Sequence, residues 1–302
     1  MTTKIFIDGD AGTTGLEIRE RLAARSDISL VALPQAQRKD VAAKRDILSA
    51  VDIAILCLPD DAAKETVALC DALGGGPKVL DASTAHRVAQ GWTYGFPELC
   101  EAQAAEIAKS RRVANVGCYA TGAIVLIRPL VDAGLIRSDQ PLTINAVSGY
   151  SGGGRQMIEA YESGKAPAFE LYALGLGHKH VPEIMAYGKL TARPLFVPSV
   201  GNFRQGMLVS IPLVLDALPG RPKAKSFAEA FARHYAGAPH VRLAATPAGG
   251  RLDALALNGT DDMEVFVIAD ERGHALLVAR LDNLGKGAAG AAIQNLDLMM
   301  GK

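Results

Sequence analysis

The chain is 302 residues long, 49% hydrophobic and 21% charged, and its 32 Lys and Arg balance 32 Asp and Glu to a formal net charge of zero. That length exceeds one typical core, so two domains are expected, and these globular proportions exclude a disordered or low-complexity chain. The charge balance argues against nucleic-acid and membrane-surface binding, which need a basic excess, yet leaves room for a local basic site holding an anionic metabolite.

The start, Met1-Thr2-Thr3-Lys4-Ile5-Phe6-Ile7, runs straight into a strand pattern, and no signal-peptide succession of charged, apolar and small residues can be placed there. Apolar stretches elsewhere are broken by Gly, Pro or charge well short of a membrane span. Cys57, Cys70, Cys100 and Cys118 are scattered without a C-x-x-C pair and read as thiols of a reducing compartment. The expectation is a cytoplasmic protein.

In chain order, residues 4–8 make a short buried strand and 15–25 carry apolar residues at helical spacing (Leu16, Ile18, Leu22). Strands follow over 28–33, 53–58 and 78–82, then a helix over 101–109 and a strand over 112–116. Repeated strand–helix–strand units pair in parallel through right-handed crossovers, which predicts an α/β fold beginning with a Rossmann-type doubly wound parallel sheet. From there the pattern changes. Residues 141–147, 192–200 and 207–215 are β-rich, and 265–270 with 275–282 make a hairpin around Glu271-Arg272-Gly273-His274. These predict a second α/β domain with a mostly antiparallel sheet, and an Ala-rich helix over 287–300 ends the chain. The expected division is a first domain over 1–117 and a second over 118–283, with 284–302 packing back on the first.

Gly9-Asp10-Ala11-Gly12-Thr13-Thr14-Gly15 follows the first strand and opens the first helix. Glycines there keep the turn tight and let backbone N–H groups approach a pyrophosphate at the helix N-terminus. The spacing is G-x-x-G-x-x-G rather than the commoner G-x-G-x-x-G. An ordinary βα turn accounts for the motif alone; its place at the first βα turn favours a dinucleotide, contacted by Gly9, Gly12, Thr13, Thr14 and Gly15. After the second strand an NAD enzyme places an acid for the ribose 2′-OH. Here Gln35 is followed by Arg38 and Lys39, which suits a 2′-phosphate and hence NADP(H), with Arg38 as its contact. A solvated loop with two surface cations is the plainer alternative.

Cys118 stands in Ala114-Asn115-Val116-Gly117-Cys118-Tyr119-Ala120-Thr121-Gly122, where a strand hands over to an apolar helix. A helix N-terminus stabilises a thiolate, and the thiolate is the attacking species. Cys57 and Cys70, in an apolar strand and on a helix face, fit the usual buried structural thiol. Gly177-His178-Lys179-His180-Val181-Pro182-Glu183 places two imidazoles near a carboxylate. No metal is expected there, because the histidines are too close for one helix face and no further ligands stand by. A neutral imidazole that takes a proton from a thiol fits better. His180 is the favoured acid–base group because Pro182-Glu183 would orient it, and His178 remains the alternative. A glycine-dense loop, Ser148-Gly149-Tyr150-Ser151-Gly152-Gly153-Gly154-Arg155, offers N–H groups and one cation to a phosphate or carboxylate. A flexible loop explains its composition equally. Asp282-Asn283-Leu284-Gly285-Lys286-Gly287 opens the last helix, which could fold back over a cofactor.

Together with Asp81-Ala82-Ser83 and Tyr94-Gly95-Phe96-Pro97-Glu98-Leu99, these segments resemble the N-acetyl-γ-glutamyl-phosphate reductase family in its shorter form, within the semialdehyde-dehydrogenase group. The resemblance covers nearly the whole chain. It implies a Rossmann domain joined to an α/β catalytic domain used for oligomer contact, as a dimer or tetramer. It implies Cys118 as nucleophile and the His178/His180 segment for acid–base work. It also implies cofactor contacts at Ser83, Gly152, Asn283 and Lys286, and substrate contacts at Asn115, Ser148, Gly149, Arg155 and Glu183. The family often has proline where Val116 and Ala120 stand, which touches the rigidity of the turn; Lys179 keeps the charge usual between the histidines.

The implied reaction is attack of the Cys118 thiolate on an acyl phosphate, release of phosphate, and reduction of the thioester by NADPH to a semialdehyde. The alternatives are a sister enzyme acting on aspartyl or aminoadipyl substrates and a non-catalytic NADP-sensing binding protein, which would not need Cys118.

Overall fold

The computed structural model describes residues 2–38 and 40–302. Lys39, expected near the cofactor, therefore lies outside the described residues. The chain forms two compact units: Met1–Pro97, Ala102–Val116 and Ala288–Lys302 make the first, and Glu98–Glu101 with Gly117–Gly287 the second.

The first unit is a six-stranded, wholly parallel sheet. In chain order its elements are β1 (Thr3–Asp8), α1 (Thr13–Ala23), β2 (Ile28–Val31), α2 (Val41–Ala50), β3 (Ile53–Leu56), α3 (Asp60–Ala72), β4 (Lys78–Asp81), β5 (Thr93–Gly95), α4 (Gln103–Lys109) and β6 (Arg112–Asn115). The strand order is β2-β1-β3-β4-β6-β5, so successive connections leave β1 in opposite directions. A crevice opens at the carboxyl end of the sheet at such a reversal, and Gly9 directly follows β1 there. Helices cover both faces, which is why the strands read as continuous apolar runs. Ile5, Ile7, Ile53, Ile55 and Val113 face one core, where Leu296 and Met299 of the last helix join them. Phe6, Ala54, Leu56 and Val79 face the other. In α1 the buried stripe is Gly15, Ile18 and Leu22, whereas Leu16, expected on it, is 38% exposed. A glycine takes that place because the helix starts hard against the turn before it.

The second unit carries a seven-stranded mixed sheet. Its elements are α5 (Cys118–Asp132), β7 (Thr143–Gly149), α6 (Gly154–Glu162), β8 (Phe169–Leu171), α7 (Val181–Tyr187), β9 (Leu195–Gly201), β10 (Met207–Val214), α8 (Ala224–His234), β11 (Val241–Leu243), β12 (Met263–Ala269) and β13 (His274–Leu281). The order is β11-β12-β13-β10-β7-β9-β8, with β11·β12 and β7·β9 parallel and the other pairings antiparallel. Alternation along β10 shows how the sheet is used: Met207, Val209, Ile211 and Leu213 are buried, while Pro212 and Val214 are exposed. The buried face meets α5, where a Cβ added at Gly122 would lie 2.5 Å from Val209 Cγ2, so only glycine lets helix and sheet come this close. The opposite face is an open apolar trough lined by Val147, Phe169, Leu171, Leu208, Leu276 and Val278.

α5 is almost wholly buried and contains Pro129. Proline cannot donate to the carbonyl four residues back. The hydroxyl of the buried Tyr235 donates to that carbonyl, Val125 O, at 2.8 Å. After β13 a π-helical turn, Gly285–Ala289, runs directly into α9 (Gly290–Met299), so the Ala-rich helix expected over 287–300 is present but opens with a π-turn. Among the described residues no helix is long and apolar enough to cross a membrane.

Candidate active site

The turn after β1 has the features of a dinucleotide cradle. Gly9 has φ +90°, and a Cβ there would lie 2.3 Å from Cys57 O; at Gly15 a Cβ would lie 2.4 Å from Gly9 O. Both positions require glycine. At Gly12 the nearest atom is 3.5 Å away, so a Cβ would fill open space rather than clash. Gly12 is the N-cap of α1 and no side chain caps that end, which leaves the N–H groups around Thr13, Thr14 and Gly15 turned to an anion. Beside it lies a cavity of about 740 Å³ with apolar walls of Leu33, Val41, Leu58 and Leu69, and with Arg38 in its lining. Arg38 is held to Asp10 at 2.8 Å, and Arg19 reaches the same carboxylate at 3.2 Å. A glycine cradle at a helix N-terminus, an apolar cavity and a cation fit a phosphorylated dinucleotide. Sequence reasoning missed the floor of this cavity, where Lys44 Nζ pairs with Asp8 at 2.8 Å and Thr66 donates to the same carboxylate at 3.1 Å. The only signal was a carboxylate immediately before the first glycine.

Ser83 lies two residues past the end of β4, its hydroxyl donating to the buried Asp81 at 2.7 Å, and His86 Nδ1 meets the same carboxylate at 2.6 Å. Asn115, expected to touch substrate, is 1% exposed and serves the scaffold: Nδ2 donates to Ala288 O, and Oδ1 accepts from Asn295, both at 2.9 Å. Its carbonyl accepts from the buried Arg87 at 3.0 Å.

In the second unit Cys118 is the first residue of α5, half-buried, behind a Gly117 N-cap that carries no side-chain cap. The Gly117 N–H donates to Glu183 Oε2 at 3.2 Å, and Oε1 of that carboxylate lies 4.0 Å from His180 Nε2. One buried carboxylate therefore joins the turn before the cysteine to the imidazole. His180 is the N-cap of α7, with Pro182 in the first turn. His178 accepts the His180 N–H at Nδ1, and its Nε2 lies 3.3 Å from the Tyr172 hydroxyl. Burial, with Lys179 adding, pushes the His178 imidazole down to about 4, so it is neutral near pH 7. Tyr119 packs edge-on to His178 with ring centroids 5.9 Å apart. Burial pushes the thiols of Cys57 and Cys70 up to about 12 and about 11, which keeps them protonated.

The loop after β7 closes on the same unit. A Cβ at Gly149 would lie 2.6 Å from the carbonyl of Arg204, and one at Gly152 3.2 Å from Ser148 Oγ. Asn283 holds this loop, its Nδ2 donating to Ser151 Oγ at 2.9 Å and its Oδ1 accepting the Gly206 N–H at 2.9 Å. Arg155, expected to bind an anion, has its side chain 84% exposed and paired with Glu159 one turn along α6. Lys286, expected at the cofactor, is fully buried, with its ammonium 2.8 Å from both oxygens of Glu98.

Two family descriptions match the chain: the semialdehyde dehydrogenase NAD binding domain over residues 4–107 and the semialdehyde dehydrogenase dimerisation domain over 118–283. The chain is 53% identical to N-acetyl-gamma-glutamyl-phosphate reductase 2 of Pseudomonas putida, over 99% of its own length and 97% of that protein's. It is also 53% identical to N-acetyl-gamma-glutamyl-phosphate reductase of a Chelativorans strain, over 99% of both. The chain belongs to the N-acetyl-γ-glutamyl-phosphate reductase family. Among solved structures, aspartate semialdehyde dehydrogenase II of Vibrio cholerae, complexed with ASA, superposes with a TM-score of 0.72 at 17% identity, covering 100% of this chain and 99% of that one. The Francisella tularensis aspartate semialdehyde dehydrogenase gives 0.75 at 14% identity, over 99% and 100%. These likenesses show that the reductase family member has the semialdehyde-dehydrogenase fold.

Proposed function

We propose that this chain reduces N-acetyl-γ-glutamyl phosphate to N-acetylglutamate semialdehyde with NADPH, a step of arginine biosynthesis, through a thioester on Cys118. The observation that carries the mechanism is the Glu183 carboxylate that touches both the Gly117 N–H and the neighbourhood of His180 Nε2. Cys118 is the nucleophile, favoured by the uncapped N-terminus of a 15-residue helix. His180 takes the thiol proton, and Glu183 stabilises the resulting imidazolium. The thiolate forms a C–S bond to the acyl carbon, the C–O bond to phosphate breaks, and inorganic phosphate leaves. The Gly9–Gly15 cradle and Arg38 would hold NADPH, which when bound would supply the hydride for the acyl carbon. His180 and backbone N–H groups of the turn then steady the oxyanion until the C–S bond breaks and the Cys118 thiolate is regenerated. His178, neutral and tied at both ring nitrogens, orients His180 through the backbone. Ser148 and Gly149 serve the substrate side of this loop and Gly152 its cofactor side, and Asn283 keeps the loop in shape.

Support for a homo-oligomer comes from the open apolar sheet face, where Phe169 and Leu171 are 56% and 49% exposed. Two copies joined through that face would bury it. The protein is assigned to the cytoplasm on its reduced-thiol composition.

A spectrophotometric assay decides the substrate: NADP reduction with N-acetylglutamate semialdehyde and phosphate, against the same assay with aspartate semialdehyde. Faster turnover with the aspartyl substrate would overturn the reading.

A further inference from the structure

We propose that the buried Glu98–Lys286 pair is a positioning device for Cys118, acting through Gly287; this rests on the reading of Cys118 as the nucleophile. The side chains of the pair are 3% and 1% exposed. Desolvating two charges offsets most of their attraction, so such a pair adds little stability over an apolar one, while demanding a fixed geometry. Its place in the chain tells what that geometry holds.

Lys286 lies in the π-turn between two glycines that have no room for a side chain. A Cβ at Gly285 would lie 2.0 Å from Thr260 O, and one at Gly287 would lie 2.8 Å from Cys118 Cβ and 3.2 Å from its Cα. The backbone on either side of Lys286 is thus pressed against Thr260 and against the nucleophile. The Gly287 N–H donates to Asp282 O at 3.1 Å, closing the wide turn. Asp282 is itself immobilised, Oδ1 by the Leu284 N–H at 2.9 Å and Oδ2 by Gln205 and the Gly259 N–H at 2.7 Å. The side chain leaving this turn from its middle is anchored on Glu98, in the short turn Pro97–Leu99. With Gly287 seated on Cα and Cβ of Cys118, rotamers that turn Sγ toward Gly287 are closed, and the thiol is held in the remaining ones. The ion pair keeps that seat in place.

Two variants of the full-length protein test this: Glu98→Met with Lys286→Met together, which removes both charges, and Gly287→Ala, which disturbs the contact and leaves the pair intact. The readouts are the pH midpoint of Cys118 alkylation by iodoacetamide, followed by peptide mass, together with kcat, KM and the melting temperature. Both variants are expected to raise the alkylation midpoint and to lower kcat about tenfold or more with KM little changed, as misplacement of a reacting atom does. A folded double variant with wild-type midpoint and kcat overturns the proposal, since a purely structural pair would move only the melting temperature. If the double variant does not fold, Gly287→Ala decides alone, and a wild-type midpoint and kcat there overturn the proposal equally. Retained activity in Cys118→Ser would instead sink the nucleophile reading, so the two failures are told apart.

Discussion

The backbone N–H of His180 donates to Nδ1 of His178 at 3.2 Å. This bond needs a lone pair on Nδ1, so the neutral ring carries its proton on Nε2, where the Tyr172 hydroxyl lies 3.3 Å away. One histidine is thereby held neutral and oriented, and the other, beside Glu183, is left for proton transfer. Replacing His180 by Asn is expected to lower kcat by roughly 10²–10⁴-fold with NADP binding preserved. His178→Asn, which removes the ring nitrogen that accepts the His180 N–H, is expected to lower kcat by a smaller factor. Steady-state kinetics of the two variants check this, and a larger kcat loss for His178→Asn would exchange the roles.

The same environment ties His178 to acid stability. Its folded value is about 4 against an ordinary 6.5, lowered by burial and by Lys179. In that window the unfolded chain binds a proton that the folded chain does not, so stability is present above the unfolded value and is lost as pH falls toward the folded one. His234, also lowered by burial, contributes in the same direction. Melting temperatures recorded from neutral pH into acid should fall less steeply in His178→Asn than in the native protein. Equal slopes would mean that His178 is protonated as readily folded as unfolded.

Cys118→Ser keeps the shape of the turn but replaces the thiolate by a scarcely ionised alcohol. Turnover is expected to fall on the order of 10³-fold or more, with folding and NADP binding intact. Acyl phosphate without NADPH should add one acyl mass to the Cys118 peptide. Cys57 and Cys70, raised to about 12 and about 11 by burial, should stay unlabelled near neutral pH. The acyl mass on any other residue would refute the thioester.

Glycines 12 and 15 separate cofactor binding from folding. Gly12→Ala meets nothing closer than 3.5 Å and should melt as the native protein does while losing NADP affinity, because the methyl occupies the cradle. Gly15→Ala, 2.4 Å from a carbonyl, should lose stability as well. Arg38→Ala should narrow the preference for NADP over NAD by about 1.5–3 kcal/mol, the scale of a charged hydrogen bond. Calorimetric titration with both dinucleotides measures each effect, and NAD binding as tightly as NADP in the native protein would remove the 2′-phosphate argument.

Leu171→Lys with Leu276→Lys places two charges in the open trough of the second sheet. Light scattering should report a shift to monomer with the fold retained. An unchanged mass would move the oligomer contact elsewhere.

Periodicity and glycine placement were enough to decide the parallel sheet, the mostly antiparallel second sheet, the tight glycine turn after β1 and the cysteine at the head of α5. Each is a local matter of which residues can adopt a turn, fill a strand or begin a helix, and neighbours in sequence carry that information. The partners of charged side chains were not legible, because they arrive from distant parts of the chain. Lys286 and Glu98 are 188 positions apart, and their burial turned an expected cofactor ligand into an internal ion pair. Asn115 met Asn295 across 180 positions and became a scaffold residue. Arg155 remained in solvent beside Glu159, although its loop composition suited an anion. A buried charge must find its counter-charge before the chain can close around it, and only the packed tertiary structure determines which one it finds.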